Sequence, residues 1–238
     1  MKIAVMQPYF FPYIGYFQLM NVVDQFVVYD NIEYTKKGWI NRNRILVNGK
    51  DDFITLPLKK DSDYLNISER RLADLWPQDS AKMLNRIKQS YLKAAAFDET
   101  FPLIEACIKF DNLNLFSFIL NSIELIKNHL GIKSGLVVSS TIPADHSLKS
   151  EARVISICKA QQASEYINPI GGLELYSRSS FEVQGLSLRF LKALNVTYSQ
   201  GNAPFVPFLS IIDVLMFCGK NQTIDMLSEY DFIEPQQP

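Results

Sequence analysis

The sequence predicts an α/β fold that consists of a parallel sheet, a β-hairpin and a helical insertion. The apolar runs 2–6 and 25–30 are of strand length and flank a helical segment at 15–23, which is the strand–helix–strand unit of a parallel sheet. The pair Asn48-Gly49 lies between two strand-like runs and predicts a two-residue hairpin. Apolar residues then recur at helical spacing before strand-like runs return. This order of elements is typical of a Rossmann-like domain.

The first two strands point to one edge of the predicted sheet. The first, Lys2 to Met6, is closed by Gln7-Pro8, and the second, Gln25 to Asp30, ends on a carboxylate. Ligands of parallel sheets bind beyond the carboxyl ends of the strands. We therefore expect Gln7 to contact a ligand there and Asp30 to be a catalytic group that positions an acceptor amine or a metal ion.

A helical region follows the hairpin. Asp79 and Ser80 are suited to cap its first helix, and further helices are predicted at Phe101–Phe110 and Asn114–Leu130. The predicted division of the chain is an α/β domain of residues 1–67 and 132–238 with a helical insertion of residues 68–131.

The α/β pattern returns in the second half of the chain. The predicted elements are a strand at Gly135–Ser140, a helix at Lys149–Gln161, a strand at Tyr166–Gly172 that opens into a glycine-rich turn, a strand at Leu186–Leu191, a helix after Ser210 and a last helix at Gln222–Glu229.

The composition excludes several classes of function. A net charge of -1 over 238 residues gives no overall field for nucleic acid or anionic membranes. The three cysteines are far apart and only two histidines are present, so neither a disulfide framework nor a zinc site is expected. No run approaches the roughly 20 apolar residues of a membrane helix, and no signal peptide is recognisable. We expect a cytoplasmic protein without stable membrane insertion.

The stretch QPYFFPYIGYFQ places aromatic side chains around two prolines and a glycine after the first strand. Gly15 permits close approach of a ligand to the start of a helix, where unpaired N–H groups favour phosphate or carboxylate. Tyr13 and Tyr16 flank Gly15 and are candidate catalytic residues whose hydroxyls would point to the same place. The alternative is a hydrophobic plug beneath the sheet edge, and the spacing leaves both interpretations open.

The segment TKKGWINRNR is rich in positive charge. Its basic residues, which no acidic residue interrupts, are Lys36, Lys37, Arg42 and Arg44. A solvated loop explains these charges but not Trp39 among them. If the segment is extended, Arg42 and Arg44 point to one side and Asn41 and Asn43 to the other, and two guanidinium groups match a diphosphate. A nucleic-acid patch is the competing interpretation, but the basic stretch is short.

Three weaker signals complete the candidate site. The segment NPIGG adds possible ligand contacts at another predicted strand end, namely Asn168, Gly171 and Gly172. His146 lies beside Asp145 in a loop and is a candidate for acid–base chemistry. Asp213 follows the cap residue Ser210 and is interpreted as a helix-dipole residue rather than a catalytic base.

Four segments together resemble the WbqC-like family: MKIAVMQPYFFPYIGYFQL, YDNIEYTKKGWINRNRI, YINPIGGLELY and FVPFLSIIDVLMF. The resemblance spans essentially the whole chain. It implies an accessory enzyme of bacterial surface-polysaccharide synthesis (the O-antigen of lipopolysaccharide) that transfers a glycyl or other small acyl group to an amino sugar. No catalytic residues come with the family.

The P-Y-I-G-Y stretch is also similar in position to the H-x-G-H signature of nucleotidyltransferases and class I aminoacyl-tRNA synthetases, which implies a nucleotidyltransferase-like (HUP-type) sheet. Those enzymes hold the phosphates of ATP at that helix end. Tyr13 and Tyr16 replace the two histidines and supply no imidazolium charge. Either the basic segment provides the positive charge, or the nucleotide chemistry has been lost.

We expect a small-molecule ligand, a nucleotide-linked amino sugar or ATP, and no nucleic acid. The basic segment would hold the diphosphate and Trp39 would stack on a base or sugar ring. The sequence leaves the cofactor open, with ATP, a nucleotide sugar and Mg²⁺ as candidates, and predicts no protein metal site. The rival hypotheses are ATP-dependent adenylyl or nucleotidyl transfer and a non-catalytic sugar-nucleotide binder or assembly partner.

Overall fold

The computed structural model describes residues 1–202 and 204–234. The strands are β1 Lys2–Met6, β2 Gln25–Val28, β3 Arg42–Val47, β4 Lys50–Thr55, β5 Gly135–Val138, β6 Glu165–Pro169, β7 Ser187–Ala193 and β8 Tyr230–Ile233. The α-helices are α1 Ile14–Val22, α2 Trp76–Tyr91, α3 Phe97–Ile108, α4 Leu115–His129, α5 Ser150–Ala160, α6 Arg178–Glu182 and α7 Ile211–Met226. None of the helices in these ranges is long and apolar enough to cross a membrane.

Six strands form the main sheet in the order β5-β2-β1-β6-β7-β8. The first five are parallel, and β8 runs antiparallel to β7. The chain moves outward from β1 to β2 and β5 and then returns to β6 on the other side of β1, so the direction of winding changes between β1 and β6. This order confirms the predicted α/β, Rossmann-like fold.

The hairpin is also confirmed. β3 and β4 pair as a separate antiparallel ribbon, from Arg42 opposite Thr55 to Val47 opposite Lys50. Asn48 and Gly49 both have positive φ, 51° and 76°, which is the geometry that a two-residue turn between twisted strands requires.

Both faces of the sheet are buried, as expected where helices cover a parallel sheet on both sides. In β1, Ala4 belongs to the core under α1 and α7, whereas Ile3 and Val5 belong to the core under α5 and α6. The helices α2–α4 add Ile87, Ile104 and other apolar residues to the α1 side of the core. The hairpin lies on that same side, because its buried residues join the same cluster.

Two helix starts in the middle region differ from the prediction. α2 begins at Trp76 rather than behind a cap at Asp79 or Ser80, because Pro77 in its first turn has a suitable φ and no N–H to satisfy. The Ser80 hydroxyl instead donates to the Pro77 carbonyl (2.9 Å). α3 begins at Phe97, four residues before the predicted start.

The end of the chain agrees with the prediction in its helices and adds a strand. The two predicted helices after Ser210 are confirmed: α7, Ile211–Met226, is interrupted at Gly219, where a φ of 68° is not helical, and its second part ends at Met226 rather than at Glu229. The strand β8 was not predicted, because its four residues include the charged Asp231 and carry no clear alternation. Its pairing with β7 therefore rests on tertiary contacts.

Asp213 joins four parts of the fold. Its side chain is fully buried, and its carboxylate accepts hydrogen bonds from the Tyr91 hydroxyl (2.8 Å), the Tyr198 hydroxyl (2.6 Å) and the Gln200 amide (2.7 Å). The Tyr91 hydroxyl accepts in turn from the backbone N–H of Leu46 in β3 (2.9 Å). Burial raises the pKa of Asp213 above its ordinary value, and the three donors oppose that shift. The residue is thus a structural anchor as well as a residue of the first helical turn.

We expect Asp213→Ala to lower the free energy of unfolding by at least about 2 kcal/mol, because three buried donors lose their acceptor. Denaturant unfolding of the variant beside Asp225→Ala, an exposed position of the same helix, measures this difference. Equal stabilities of the two variants would contradict the anchor role.

The same carboxyl predicts a pH dependence. Because its pKa is higher in the folded protein than its ordinary value of 3.8, the folded state binds the proton more tightly. Stability relative to Asp213→Ala should therefore fall as pH rises from about 4 through the folded pKa. Unfolding midpoints of both proteins across that range test the sign, and a difference that increases with pH would contradict it.

Candidate functional site

A cleft opens where the winding of the sheet changes direction. β1 and β6 are paired at Lys2 and Ile3, and within the described chain this pairing does not continue to Met6 at the carboxyl end of β1. The cleft of about 320 Å³ lies there, with Met6 and Pro169 in its lining. This is the place where ligands of open α/β sheets bind, and the volume is in the range of small-molecule sites.

The loop between β1 and α1 forms one wall of the cleft. Hydrogen bonds from other segments to its backbone groups hold it in place. The buried side-chain amide of Asn43 donates to the carbonyls of Phe10 (3.0 Å) and Phe11 (2.8 Å). The Ser210 hydroxyl also donates to the Phe11 carbonyl (2.8 Å), and the Phe10 N–H donates to the Trp39 carbonyl (3.1 Å). Phe11 has a positive φ of 44°, which these contacts maintain.

Tyr13, Gly15 and Tyr16 all line the cleft, but they differ in burial. Tyr13, half-buried, lines the cleft, and burial raises the pKa of its hydroxyl, so that the proton stays on the oxygen at neutral pH. Tyr16 is buried, and its hydroxyl donates to the Gln7 carbonyl (3.1 Å). A Cβ on Gly15 would lie 3.3 Å from Ala193 and from the Tyr13 ring, so the glycine permits α1 to approach β7 closely. The aromatic stretch is therefore partly core, through the buried Tyr16, and Tyr13 borders the cleft with a half-buried ring.

Arg44 provides the positive charge of the cleft. Its guanidinium lies over the Trp39 ring (5.7 Å to the centroid), pairs with Asp51 (3.0 Å) and donates to the Phe208 carbonyl (3.2 Å). Its Nε is buried without a hydrogen-bond partner. A guanidinium carries five N–H donors, so Arg44 retains donors for an anionic ligand in the cleft.

The predicted alternation along β3 is confirmed, but the two arginines do not converge. Asn41 and Asn43 are buried on one side, and Arg42 and Arg44 are more exposed on the other. Arg42 stacks on Phe53 (4.7 Å to the centroid) and donates to the backbone carbonyls of residues 37 and 38. It stabilises the loop and is not among the residues that line the cleft.

Phe208 is a cleft residue that the sequence did not indicate. It has a positive φ of 58°, its side chain is 54% exposed, and its ring packs edge-on against Tyr13 with centroids 5.6 Å apart. A strained backbone that surrounding contacts maintain is common at ligand sites. Its one local signal, a position shortly before a capped helix, does not distinguish it from an ordinary loop residue.

Several candidate residues lie outside the cleft lining. Asp30 is buried and accepts the Ser140 backbone N–H (2.9 Å), which fixes the turn after β5. The exposed Lys36 pairs with Asp63 (2.7 Å). Lys37 is exposed as well.

His146 has both ring nitrogens engaged. One nitrogen, Nε2, lies 2.9 Å from the Ile142 carbonyl, and Nδ1 lies 3.2 Å from the Asn31 amide and 3.3 Å from the Arg153 guanidinium. Because the carbonyl requires a donor and the other two groups are donors, the ring carries its proton on Nε2. This arrangement directs neither nitrogen at the cleft.

The NPIGG segment is explained by packing. Asn168 is buried, accepts from the Tyr166 hydroxyl (2.8 Å) and donates to the Pro169 carbonyl (3.0 Å). A Cβ on Gly172 would lie 1.9 Å from the Asn168 amide nitrogen, so glycine is required there, whereas Gly171 meets nothing within 4 Å. The segment contributes Pro169 and Ile170 to the cleft instead.

A larger hollow of about 570 Å³ lies between α2 and α3, lined by Trp76, Phe101 and Phe110 among others. It is remote from the strand ends, and its lining includes no residue of the main sheet. The smaller cleft combines a helix N-terminus, Arg44 and the hydroxyl of Tyr13, which are groups that can recognise an anion. Within residues 1–202 and 204–234, no cluster of three or more His, Cys, Asp or Glu residues is suited to hold a metal ion.

The fold and the cleft define an α/β protein with a candidate binding cleft at the switch between β1 and β6. The chain belongs to the WbqC-like protein family, whose model matches residues 7–225. It is 29% identical over 224 residues to Rv1507c of Mycobacterium tuberculosis, a protein described as uncharacterized, with 92% of this chain and 94% of the relative covered. No solved structure matches the chain.

We expect Asn43→Ala to lower the free energy of unfolding by about 1–3 kcal/mol, because the buried carbonyls of Phe10 and Phe11 lose their shared donor. Asn221→Ala, at an exposed position of α7, is the matched control. Chemical unfolding measures both. A stability of Asn43→Ala equal to that of the control would show that the amide does not hold the loop.

Proposed function

We propose that the cleft binds a nucleotide-linked amino sugar and that the protein is a transferase of bacterial surface-polysaccharide (O-antigen) synthesis, which places a small acyl group such as glycyl on the sugar amine. The observation that carries the proposal is the convergence of the α1 N-terminus, Arg44 and aromatic rings at the switch between β1 and β6. The family supports the pathway, and the cleft supports the ligand class.

Charge and shape favour an amphipathic anion. Arg44 and the N–H groups at the start of α1 would contact the diphosphate. Trp39, 42% exposed, and Phe208, 54% exposed, would pack on a base or sugar ring. Because the cleft is largely apolar, an ion pair with Arg44 is screened less there than at an open surface.

In the proposed reaction the amine of the sugar attacks the acyl carbon of an activated donor. The C–N bond forms, the donor's leaving group departs with its electron pair, and the amine loses a proton. Tyr13 keeps its phenolic proton at neutral pH, so its role would be to donate a hydrogen bond to an acyl or phosphate oxygen rather than to act as the base.

ATP-dependent nucleotidyl transfer is the second candidate. The five parallel strands and the helix that follows β1 favour it, because phosphates bind at such helix starts in parallel sheets. Release of pyrophosphate from ATP in the presence of a sugar phosphate would favour this reaction. Binding of nucleotide sugars without turnover across donors would favour a non-catalytic binder.

We expect Arg44→Gln to weaken binding of UDP-N-acetylglucosamine by about tenfold or more, because one charge-assisted hydrogen bond contributes about 1.5–3 kcal/mol. Titration calorimetry measures the affinity. Arg178→Gln is the matched control, since Arg178 is also partly buried and ion-paired, with Glu182, but does not line the cleft. Equal affinities of the two variants would reject the phosphate role of Arg44.

A further inference from the structure

A pair of exposed aromatic rings continues the cleft across the hairpin. Trp39 and Phe53 lie with ring centroids 6.3 Å apart and an angle of 26° between their planes. Their side chains are 42% and 40% exposed. Large apolar side chains that remain exposed beside a cleft are typical of a binding surface, and Trp39 itself lines the cleft.

Beyond Phe53 lies a second hollow of about 370 Å³, between the hairpin and α2. Phe53 and Thr55 line it from β4, and Met83 and Arg86 line it from α2. Trp39 lines the cleft, Phe53 lines this hollow, and their rings lie side by side, so the ring pair joins the two. We call the cleft, the two rings and the hollow together the aromatic path.

The groups beside the aromatic path suit a sugar ring. Residues 51, 53 and 55 of β4 lie on the same face of the hairpin as Arg42 and Arg44. This face combines ring surface with a carboxylate, a hydroxyl and guanidinium groups. A saccharide has an apolar C–H face for the rings and a rim of hydroxyls for the polar groups.

A nucleic-acid strand fits the aromatic path less well. The exposed carboxylates of Asp51 and Asp52 are paired with Arg44 and Arg86, so this part of the hairpin carries charges of both signs rather than the uninterrupted basic stripe that is typical of a nucleic-acid surface. Paired carboxylates retain lone pairs that accept hydrogen bonds from neutral hydroxyls.

We propose that Trp39, Phe53 and the adjoining hollow form a second saccharide subsite, so that the acceptor is an oligosaccharide whose next sugar ring lies on the aromatic path. This inference rests on the proposed function, in which the first sugar occupies the cleft. It extends the substrate class from a single nucleotide-linked sugar to a nucleotide-linked glycan whose first sugar occupies the cleft.

The test is titration calorimetry of the full chain with chitotetraose, maltotetraose, their monosaccharides and UDP-N-acetylglucosamine. We expect at least one tetrasaccharide to bind about tenfold more tightly than its monosaccharide. Phe53→Ala should remove that gain of about tenfold, because the next sugar ring loses its apolar contact, and leave the affinity for UDP-N-acetylglucosamine unchanged. Phe53→Trp should restore it.

Phe97→Ala is the matched control, because Phe97 also belongs to a near-parallel ring pair, with Phe101 (5.0 Å, 20°), but lines neither the cleft nor the hollow. The proposal is overturned if neither tetrasaccharide binds, if Phe53→Ala binds them as tightly as the wild type, or if an oligothymidylate binds through Phe53 in their place. Phe53-dependent binding of a tetrasaccharide without binding of UDP-N-acetylglucosamine supports the subsite and rejects the proposed function.

Discussion

The buried amide of Asn43 holds the cleft together. The loop between β1 and α1 turns two successive carbonyls, those of Phe10 and Phe11, toward the protein interior. Buried carbonyls without donors are costly, so this loop is stable only because a residue of the hairpin supplies an amide and Ser210 supplies a hydroxyl. The hairpin, α7 and the loop after β1 therefore adopt their positions together.

This constraint explains why distant segments of the sequence form one site. The Ser210 N–H donates to the Arg44 carbonyl (2.9 Å), and the Ile211 N–H donates to the Pro12 carbonyl (3.0 Å). The backbone that carries Arg44 is thus fixed to the start of α7, and α7 is fixed to the loop before α1. The positive charge and the helix N-terminus consequently face the same cleft.

Much of the fold follows from local patterns, whereas the composition of the site does not. Strand-length apolar runs, the Asn48-Gly49 turn and helical spacing indicate most of the elements, and the alternation of strand and helix predicts that the sheet is mainly parallel. The order of its strands is visible only in the structure. Tyr13, Gly15, Tyr16, Trp39 and Arg44 were predicted and line the cleft. Asp30, Asn168 and Gly172 serve packing and turns instead, and a single sequence does not separate those roles from ligand binding.

Phe208 and Asp213 show what the sequence omits. Phe208 reaches the site through a backbone conformation with positive φ, which a phenylalanine in the sequence does not predict. Asp213 acts through Tyr91, Tyr198 and Gln200, which lie in two separate segments, before and after most of the sheet. Such sites depend on long-range partners, and these become visible only in three dimensions.

Asn43 and Asp213 hold two walls of the cleft through different kinds of hydrogen bond. Asn43 is neutral, and its hydrogen bonds fix the loop at any pH. Asp213 is an ionisable carboxyl in a buried position, and it holds Gln200, whose side-chain amide binds both the carbonyl and the N–H of Val206, two residues before Phe208. The loop between β1 and α1 is therefore held by hydrogen bonds between neutral groups. The segment that contains Phe208 depends instead on Asp213, whose charged form is costly to bury. Since the Arg44 guanidinium donates to the Phe208 carbonyl, an anion that draws the guanidinium away would act directly on the wall that contains Phe208.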